Sequence, residues 1–190
     1  MNDRQSKKRP LTRDYLVRAT YSYLQRFATT EKNLRRVLDR KVRRRLPESC
    51  SEELYAEAKL WIDDILQKAI GQNLVNDHIF AEGRAKSLIR SGHSKRQTGQ
   101  KLLAKGVAPD MAAQVIQKLA AQHEDIDFLS AVKYIRKRRF GAFSLRHDGK
   151  ALVQKELASM SRAGFSYETA SRTLKMTRAQ LEEILYGSEL

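Results

Sequence analysis

Apolar residues recur at three- and four-residue intervals along most of the chain, the spacing of helices that bury one face. The strongest pattern runs over residues 54–70 and predicts a long amphipathic helix that ends at Gly71. Shorter patterns predict helices over about 11–27, 30–45, 77–91, 94–105, 126–138, 150–162, 166–175 and 178–186, and one that starts near Pro109. The residues expected to be mostly buried include Trp61, Ile65, Leu66 and Leu74. The chain is therefore predicted to be all-α.

One phrase occurs three times, where one predicted helix ends and the next begins. Each copy has an apolar residue, an arginine, a small residue and a hydroxyl residue at alternate positions, with a leucine eight residues later. The copies are Leu24, Arg26, Ala28, Thr30 and Leu38; Leu88, Arg90, Gly92, Ser94 and Leu102; and Met160, Arg162, Gly164, Ser166 and Leu174. The small residue permits a left-handed turn, and the hydroxyl caps the next helix at about 1 kcal/mol. Each copy is predicted to be a helix–helix corner with its arginine in a comparable position.

These corners predict three diverged, helix-turn-helix-like modules of three helices each. The capping residues lie 64 and 72 residues apart, too loosely for a regular solenoid. We expect repeat 1 over 11–73, repeat 2 over 74–123, a linker helix with repeat 3 over 124–190, and a disordered basic tail over 1–10. Because so small a module buries little of its own apolar face, the repeats should stack into an elongated curved body, with Trp61 joining the first to the second. The competing interpretation is that capping chemistry alone produces similar corners by chance.

Composition supports helices and restricts the class of protein. Leu and Ala account for 42 of the 190 residues, whereas Pro and Gly number 3 and 9. No apolar run approaches the roughly 18 residues of a membrane span, and no apolar stretch follows the basic N-terminus as in a secretory signal. Cys50 is the single cysteine, which excludes an intrachain disulfide and fits a reducing compartment. We expect a cytoplasmic protein without a membrane partner.

The formal net charge of +15 indicates a polyanionic or acidic partner. Residues 1–50 hold 15 basic and 5 acidic residues, and residues 101–150 hold 10 and 5. The excess is concentrated in RRVLDRKVRRR (35–45) and KYIRKRRF (133–140). The candidate contact residues in these two basic runs are Lys41, Arg43, Arg44, Arg45, Arg136, Lys137, Arg138 and Arg139. We expect both runs to project from one concave side, because clustered like charges are costly without a polyanion.

Two aromatic residues flank the second basic run. The rings of Tyr134 and Phe140 could stack on nucleic-acid bases beside the cations. The alternative is a solvated helix C-terminus, where cations also interact favourably with the helix dipole. The presence of two runs favours a nucleic acid or an acidic protein as the partner.

The sequence offers little for catalysis or metal binding. No histidine has a second histidine or a cysteine at metal-ligand spacing; the four are His78, His93, His123 and His147. Asp63 and Asp64 are adjacent, so they point to different parts of a helix surface. The stretch GHSKRQTGQK (92–101) lacks the G-K-[ST] of a phosphate-binding loop. We expect no enzyme, no metal and no cofactor; a nuclease built from distant acids is the remaining catalytic alternative.

Three stretches of the chain match motifs of one known family. They are YLQRFATTEKNLRRVL (23–38), RAGFSYETASRTL (162–174) and, in the middle module, Leu74, Val75, Asn76, Asp77, Phe80, Ala81, Gly92 and Ser94 with LLAKGV (102–107). In these stretches the chain resembles the RecX family of bacterial recombinase regulators: the first is similar to the family's opening module and the second to its C-terminal signature. The likeness covers about residues 12–186 in order and spacing.

The resemblance implies tandem three-helix repeats in an elongated, curved and basic molecule. It also implies binding to the RecA recombinase filament on single-stranded DNA, with inhibition of filament growth, ATP hydrolysis and strand exchange. Such a protein regulates recombination, DNA repair and the SOS response. Some members of the family bind DNA directly, so duplex DNA is a further candidate partner. The resemblance brings no catalytic residue, and we expect a monomer.

Two residues depart from the family pattern in the predicted helix after Ser94. Thr98 stands where an apolar residue is usual, which suggests looser packing, and Lys101 stands where an acid is common. This helix is correspondingly basic and adds four candidate contact residues: Lys95, Arg96, Lys101 and Lys105. Two alternative functions stay open. One is a helix-turn-helix regulator that reads duplex DNA, and the other is a helical adaptor whose charge serves only solubility.

Overall fold

The computed structural model describes residues 10–46, 52–122, 125–145 and 149–187. Within these ranges the chain forms ten α-helices and no strand, which confirms the all-α fold class. The helices are α1 (Arg13–Leu24), α2 (Glu31–Arg45), α3 (Glu52–Gly71), α4 (Asp77–Arg90), α5 (Lys95–Ala104), α6 (Pro109–Ala121), α7 (Ile126–Arg138), α8 (Gly149–Arg162), α9 (Tyr167–Lys175) and α10 (Arg178–Gly187). A short 3₁₀ helix, Gly141–Phe143, lies between α7 and α8. None of the described helices combines the length and apolarity that a bilayer span requires.

Some sequence features fall outside the described residues. They are the predicted basic tail, apart from Pro10, and the side chains of Cys50, His123 and His147. The first helix is described but is shorter than its periodicity predicts, since it ends at Leu24 and not near Phe27. Phe27 is 51% exposed, and its ring lies 5.2 Å from the ring of Tyr23. The apolar spacing therefore continues past the end of α1, but Phe27 does not pack into the core.

Residues up to Phe80 form one compact unit, in which α1, α2 and α3 pack against one another. Its buried core consists of Leu16, Leu34, Leu38, Val42, Ala58, Ile62, Ile65, Leu66, Ala69 and Val75. The apolar stripe of α2 is thus buried as its spacing predicts. Each large aliphatic side chain removed from water contributes about 1.5–3 kcal/mol, so this stripe holds α2 against its neighbours.

The four residues expected to be mostly buried differ from one another in the structure. Ile65 and Leu66 are buried, and Trp61 is half-buried at the edge of the core. Leu74 is 46% exposed, so the prediction for it is wrong. The reason is the turn after α3, where Asn73 adopts a left-handed conformation with φ 54°. After that turn Val75 takes the buried position and Leu74 faces outward.

Residues from Ala81 onward form the second compact unit. In it α7 packs against α9 and α10, α8 packs against α9, and α5 packs against α6. One of its buried cores consists of Phe128, Ala131, Val132, Ile135, Met160, Ala163, Phe165, Ala170 and Leu181. The side chains of Tyr134 and Phe140 pack against this core from its edge. The second basic run therefore lies on a helix whose other face is firmly anchored.

Hydroxyl side chains begin the helices that follow the three corners. Thr30, Ser94 and Ser166 each accept a hydrogen bond from the amide three residues later, at 3.1, 3.1 and 3.0 Å. These are the N-caps that the repeated phrase predicts. A fourth cap is reciprocal, because Thr177 accepts from the amide of Gln180 while its own amide donates to the Gln180 side chain at 3.0 Å.

The helix ends before the corners are of two kinds. At the second and third corners Gly92 and Gly164 are left-handed, with φ 82° and 90°, and the next amide donates to the carbonyl five residues earlier at 3.1 Å. This is the Schellman arrangement. The first corner differs, since Ala28 is not among the described residues with positive φ. The left-handed turn expected there is wrong, because the Cβ of alanine makes that conformation unfavourable.

Thr98 introduces a buried polar atom into α5. Its side chain is fully buried, and its hydroxyl has no hydrogen-bond partner among the described residues. A buried hydroxyl without a partner costs roughly 1–3 kcal/mol. Thr173 offers a contrast, since its residue is equally buried but its hydroxyl donates to the carbonyl of Thr169 at 2.7 Å. The hydroxyl at position 98 therefore costs stability, while the full burial of the residue gives no sign of the looser packing that the sequence suggested.

Thr98→Val is expected to raise the free energy of unfolding by about 1–2 kcal/mol, because it replaces the unpaired hydroxyl by a methyl of similar shape. Both residues are β-branched, so helix propensity changes little. Thr173→Val is the matched control, and it should stabilise nothing because it removes a hydroxyl that is already paired. Urea unfolding of both variants measures the difference. Equal destabilisation by the two substitutions would contradict an unpaired Thr98 hydroxyl.

Candidate nucleic-acid interface

The first basic run occupies the last turns of α2 and is partly committed to packing. The guanidinium of Arg45 lies 3.5 Å from the centre of the Tyr15 ring and donates to the Pro10 carbonyl at 3.2 Å. Arg43 is exposed and donates to the Tyr55 hydroxyl at 3.4 Å, a weak bond. Arg44 is exposed and has no ion pair in the described part of the chain. This run therefore presents Arg43 and Arg44 more freely than Arg45.

Lys41 and the basic residues of α5 are placed unequally. Lys41 is half-buried on α2. Lys95 on α5 pairs with Asp127 at 3.7 Å, whereas Arg96 and Lys101 on α5 and Lys105 directly after it are exposed. The exposed α5 cations lie on the short helix that follows the second corner, so this corner carries positive charge into solvent.

The second basic run is more exposed than the first run and than the cations on and after α5. Arg136, Lys137, Arg138 and Arg139 are all exposed, and none forms an ion pair with a described residue. The first three belong to the last turn of α7, where the helix dipole favours cations. Arg139 ends the helix in a left-handed conformation with φ 56°. The dipole offsets part of the repulsion, yet four neighbouring cations remain without a countercharge among the described residues.

The two rings beside this run are not free to stack on bases. Tyr134 lies edge-on to Phe140 at 6.1 Å and to Phe165 at 5.4 Å between ring centroids. Both Tyr134 and Phe140 are partly buried against the core. The guanidinium of Arg138 lies 5.9 Å from the centroid of each of these two rings. The rings thus anchor α7 and orient Arg138, and the expected base stacking finds no support here.

A cleft of about 390 Å³ lies where the second and third corners meet α7. We call it the corner cleft; it is lined by Ser91, Gly92, His93, Gln97, Tyr134, Lys137, Arg138, Ser159, Arg162 and Ala163. Two residues of the second basic run and the arginine of the third corner therefore share one cavity, although Lys137 and Arg162 are 25 positions apart. Sequence reasoning listed these cations separately and did not predict that they converge. Only the close approach of the two glycine corners brings them together.

Close backbone contacts fix the walls of the corner cleft. The Ser94 hydroxyl donates to the Ala163 carbonyl at 2.7 Å, which joins the second corner to the third. Gly92 is pressed against α7 so closely that a Cβ there would lie 2.9 Å from the amide nitrogen of Tyr134. The Tyr134 hydroxyl is hydrogen-bonded to the Ser159 hydroxyl at 3.2 Å, which ties α7 to α8. The cleft is therefore a rigid feature of the second unit.

Burial and, to a smaller extent, nearby cations lower the pKa of two groups beside the cleft. Burial lowers the pKa of His93, and the charges of Lys101, Lys137 and Arg84 lower it further. Its Nδ1 lies 3.1 Å from the Leu88 carbonyl, so this nitrogen carries the proton that bonds to that oxygen. Burial also lowers the pKa of Lys133, with a contribution from Arg90. Cations on α4, α5 and α7 thus act on the same region.

The first two corners share a contact that the repeated phrase did not predict. The amide of Glu31, directly after the Thr30 cap, donates to Asp77 at 2.8 Å, and the amide of Lys95, directly after the Ser94 cap, donates to Asp127 at 2.7 Å. Asp77, the first residue of α4, thus bonds to the start of α2, and Asn76 caps α4, since its side chain accepts from the Ile79 amide at 3.0 Å.

The three corner arginines differ in position. Arg90 and Arg162 are the last residues of α4 and α8, whereas Arg26 lies two residues beyond the end of α1. The Arg26 side chain donates back to the Ser22 carbonyl at 3.1 Å. The second and third corners therefore resemble each other more closely than either resembles the first.

The described residues contain no group of three or more His, Cys, Asp or Glu side chains that could hold a metal ion. The adjacent carboxylates on α3 are engaged separately. Asp63 pairs with Arg35, and Asp64 pairs with Arg13 and Lys68. Arg13 and Lys68 lower the pKa of Asp64, chiefly through the hydrogen bond from Arg13. These two carboxylates therefore act as partners of surface cations.

Fold and surface together define an all-α protein with exposed cations at its helix corners and ends, several of which have no ion pair with a described residue. Comparison with known proteins narrows this class. The family description "RecX, second three-helix domain" matches residues 76–116, which span α4, α5 and part of α6. Regulatory protein RecX of Myxococcus xanthus is 34% identical over 167 residues, 87% of this chain and 87% of its own length. The corresponding protein of Agrobacterium fabrum is 34% identical over 167 residues, 88% of this chain and 85% of its own.

Solved structures agree with this chain in fold. A crystal structure of regulatory protein RecX superimposes with a TM-score of 0.60 at 18% identity, covering 86% of this chain and 72% of that one. The crystal structure of RecX from Lactobacillus salivarius gives 0.57 at 18% identity and covers 90% and 97%. With relatives at 34% identity over most of its length, the chain belongs to the RecX family.

Proposed function

We propose that this protein binds the RecA recombinase filament on single-stranded DNA and inhibits filament growth, ATP hydrolysis and strand exchange. The observation that carries the proposal is the 34% identity to proteins named Regulatory protein RecX over 87% of the chain. The regulator works by binding and without a cofactor, in the cytoplasm and as a monomer. Its role is the regulation of recombination and DNA repair.

Distributed contacts explain how such a regulator can act. A recombinase filament on DNA offers phosphates and acidic protein surface along a repeating groove. We place the modules at 11–73, 74–123 and 124–190, so that one chain touches the filament at several points. Because the second and third contacts are intramolecular once the first is made, each contact can be weak while the whole binds tightly. A molecule held in this way opposes both duplex entry and subunit exchange.

The basic residues are proposed to make these contacts. They are Lys41, Arg43, Arg44 and Arg45 on α2, Lys95, Arg96, Lys101 and Lys105 on and after α5, and Arg136, Lys137, Arg138 and Arg139 at the end of α7. Support comes from the lack of ion pairs for Arg44 and for the α7 run among the described residues. We further propose that the α2 and α7 runs face the same partner.

Binding to preformed recombinase filaments tests the proposal directly. The labelled protein should co-sediment with filaments assembled on single-stranded DNA under ATP-analogue conditions, and more tightly than it binds the same DNA without recombinase. Binding that is independent of recombinase would contradict the proposal. The exposed Arg96 and Lys101 on a helix of a three-helix domain favour one alternative, a duplex reader. Sequence-selective duplex binding would establish that alternative instead.

A further inference from the structure

The corner cleft has the chemistry of an anion site. Among its lining residues, Lys137, Arg138 and Arg162 are cationic, and Ser91, Gln97 and Ser159 contribute neutral polar groups. No carboxylate lines the cleft, and none of the three cations has an ion pair within the described ranges. Cations crowded without a countercharge attract a polyanion.

We infer that the corner cleft binds a phosphodiester group of single-stranded DNA through Lys137, Arg138 and Arg162. The cations come from two helices, so they approach an anion from more than one side. A phosphodiester is a monoanion with two exposed oxygens, and guanidinium and ammonium groups together with hydroxyls suit it. The inference rests on the proposed function for the source of the phosphate, which is the DNA within the filament.

The cleft is preorganised for this ligand. Its walls are held by the bond between Ser94 and Ala163, by the bond between Tyr134 and Ser159, and by the contact of Gly92 with α7. Arg138 is further oriented by the two rings below it. Because these contacts exist without a ligand, binding orders only the ends of the cationic side chains.

Size and lining set the kind of phosphate that fits. About 390 Å³ lies within the range of roughly 300–1,000 Å³ that is usual for small-ligand sites, so the cleft can take a phosphate with part of its sugar. Of the two rings in the lining, Tyr134 is already packed edge-on to Phe140 and Phe165, and His93 is held by its bond to the Leu88 carbonyl. The site therefore contacts backbone and not bases, and it should bind DNA without regard to sequence.

His93 makes occupancy of the cleft observable. The positive charges that lower its pKa come from Lys101 on α5, Lys137 on α7 and Arg84 on α4, and Arg162 from α8 shares the same cleft. A bound phosphate neutralises this field, so the pKa of His93 should rise on binding. A group that has the higher pKa in the bound state favours binding at lower pH. Affinity should therefore increase as the pH falls through the pKa of His93 in the bound state, towards its lowered pKa in the free protein.

The test compares a cleft variant with a matched control of equal charge. Lys137→Gln/Arg162→Gln removes two cations from the cleft, and Lys150→Gln/Lys175→Gln removes two exposed cations of the same unit that do not line it. All four residues are exposed, and circular dichroism and thermal unfolding verify that both variants fold. The probe is a fluorescently labelled oligothymidylate, titrated over a range of salt concentrations. The His93 ring is followed in parallel by NMR on the full chain.

The expected result is a loss of oligothymidylate affinity in the cleft variant and a decrease of about 1.4 in the logarithmic salt slope, from roughly 0.7 per cation on a single strand. The control should lose clearly less of both. Oligothymidylate should raise the pKa of His93 in the wild type and in the control but not in the cleft variant. The inference would be overturned if the salt slope were unchanged in the cleft variant. It would also be overturned if the oligonucleotide left the pKa of His93 in the wild type unchanged.

Two further arms identify the ligand. Competition by inorganic phosphate at millimolar concentration, with the same His93 shift, would mean that free phosphate suffices and would overturn the assignment to DNA. A rise in the pKa of His93 caused by polyglutamate but not by oligothymidylate would overturn the assignment to DNA and favour an acidic protein surface. Failure of the proposed function is distinguishable from failure of this inference. If oligothymidylate binds in the cleft while the wild-type protein leaves recombinase filaments unaffected, the phosphate site is supported and the proposed regulation of recombinase is contradicted.

Discussion

Gly164→Ala is expected to lower the free energy of unfolding by about 2–4 kcal/mol, the largest single-residue effect we predict on stability. Gly164 is left-handed, with φ 90°, which costs an alanine roughly 1–2 kcal/mol. The added Cβ would also lie 2.6 Å from the Ser94 hydroxyl. That hydroxyl cannot move freely, because it caps α5 and bonds to the Ala163 carbonyl. Displacing it adds the loss of a helix cap, worth about 1 kcal/mol.

Gly83→Ala is the matched control for this substitution. Gly83 lies within α4, a Cβ there would meet no atom within 4 Å, and its φ is not positive. Alanine is the better helix former, so this variant should be more stable by up to about 1 kcal/mol. Denaturant unfolding of both variants measures the change in the free energy of unfolding, which should be negative for Gly164→Ala and positive for Gly83→Ala. A Gly164→Ala protein as stable as the wild type would mean that the second and third corners are not in the close contact described here.

Neutralising the open basic residues outside the corner cleft is expected to cause the largest loss of binding. The variant Arg43/Arg44/Arg136/Arg139→Gln removes four exposed cations, two from each basic run, and leaves Lys137, Arg138 and Arg162 in place. If all four contact phosphates, the logarithmic salt slope of binding to single-stranded DNA should fall by up to about 3, at roughly 0.7 per cation. Arg45 is retained because its guanidinium packs on Tyr15.

The same variant separates two kinds of partner. Phosphate contacts predict that affinity for naked DNA and inhibition of the recombinase decline together. Contacts to acidic recombinase surface predict weaker inhibition with naked-DNA binding largely intact. Lys59→Gln/Lys86→Gln/Lys150→Gln/Lys175→Gln is the control, since it removes four exposed lysines outside both runs. Full inhibition by the folded basic-run variant would show that neither run binds the filament.

Much of the helical framework follows from local chemistry in the sequence. Periodicity locates α2 and α7, and hydroxyl residues at Thr30, Ser94 and Ser166 locate three helix starts, because capping depends on a few neighbouring atoms. The misplaced residues share a cause. Leu74 and Phe27 are apolar residues at helix ends, where the direction of the following turn decides burial, and that direction depends on tertiary contacts.

The corner cleft could not be predicted from the sequence for a related reason. Its cations come from α7 and α8, and their convergence depends on how closely Gly92 and Gly164 let the backbones approach. Tyr134 and Phe140 show the opposite case. Their position beside four cations suggested base stacking. Both rings instead pack against the core, because the hydrophobic effect favours burial of aromatic rings next to an apolar helix face. Charge patterns therefore predict that a surface is basic and leave its shape open.

ATP hydrolysis by RecA recombinase on single-stranded DNA, titrated with this protein, tests the central claim most directly. A regulator that occupies the filament should lower the hydrolysis rate in a saturable manner, at protein concentrations below that of the recombinase if it acts along or at the end of the filament. The basic-run variant should need a higher concentration for the same inhibition, and its four-lysine control should match the wild type. A hydrolysis rate that stays constant across the titration, with a folded protein and active recombinase, would contradict the account.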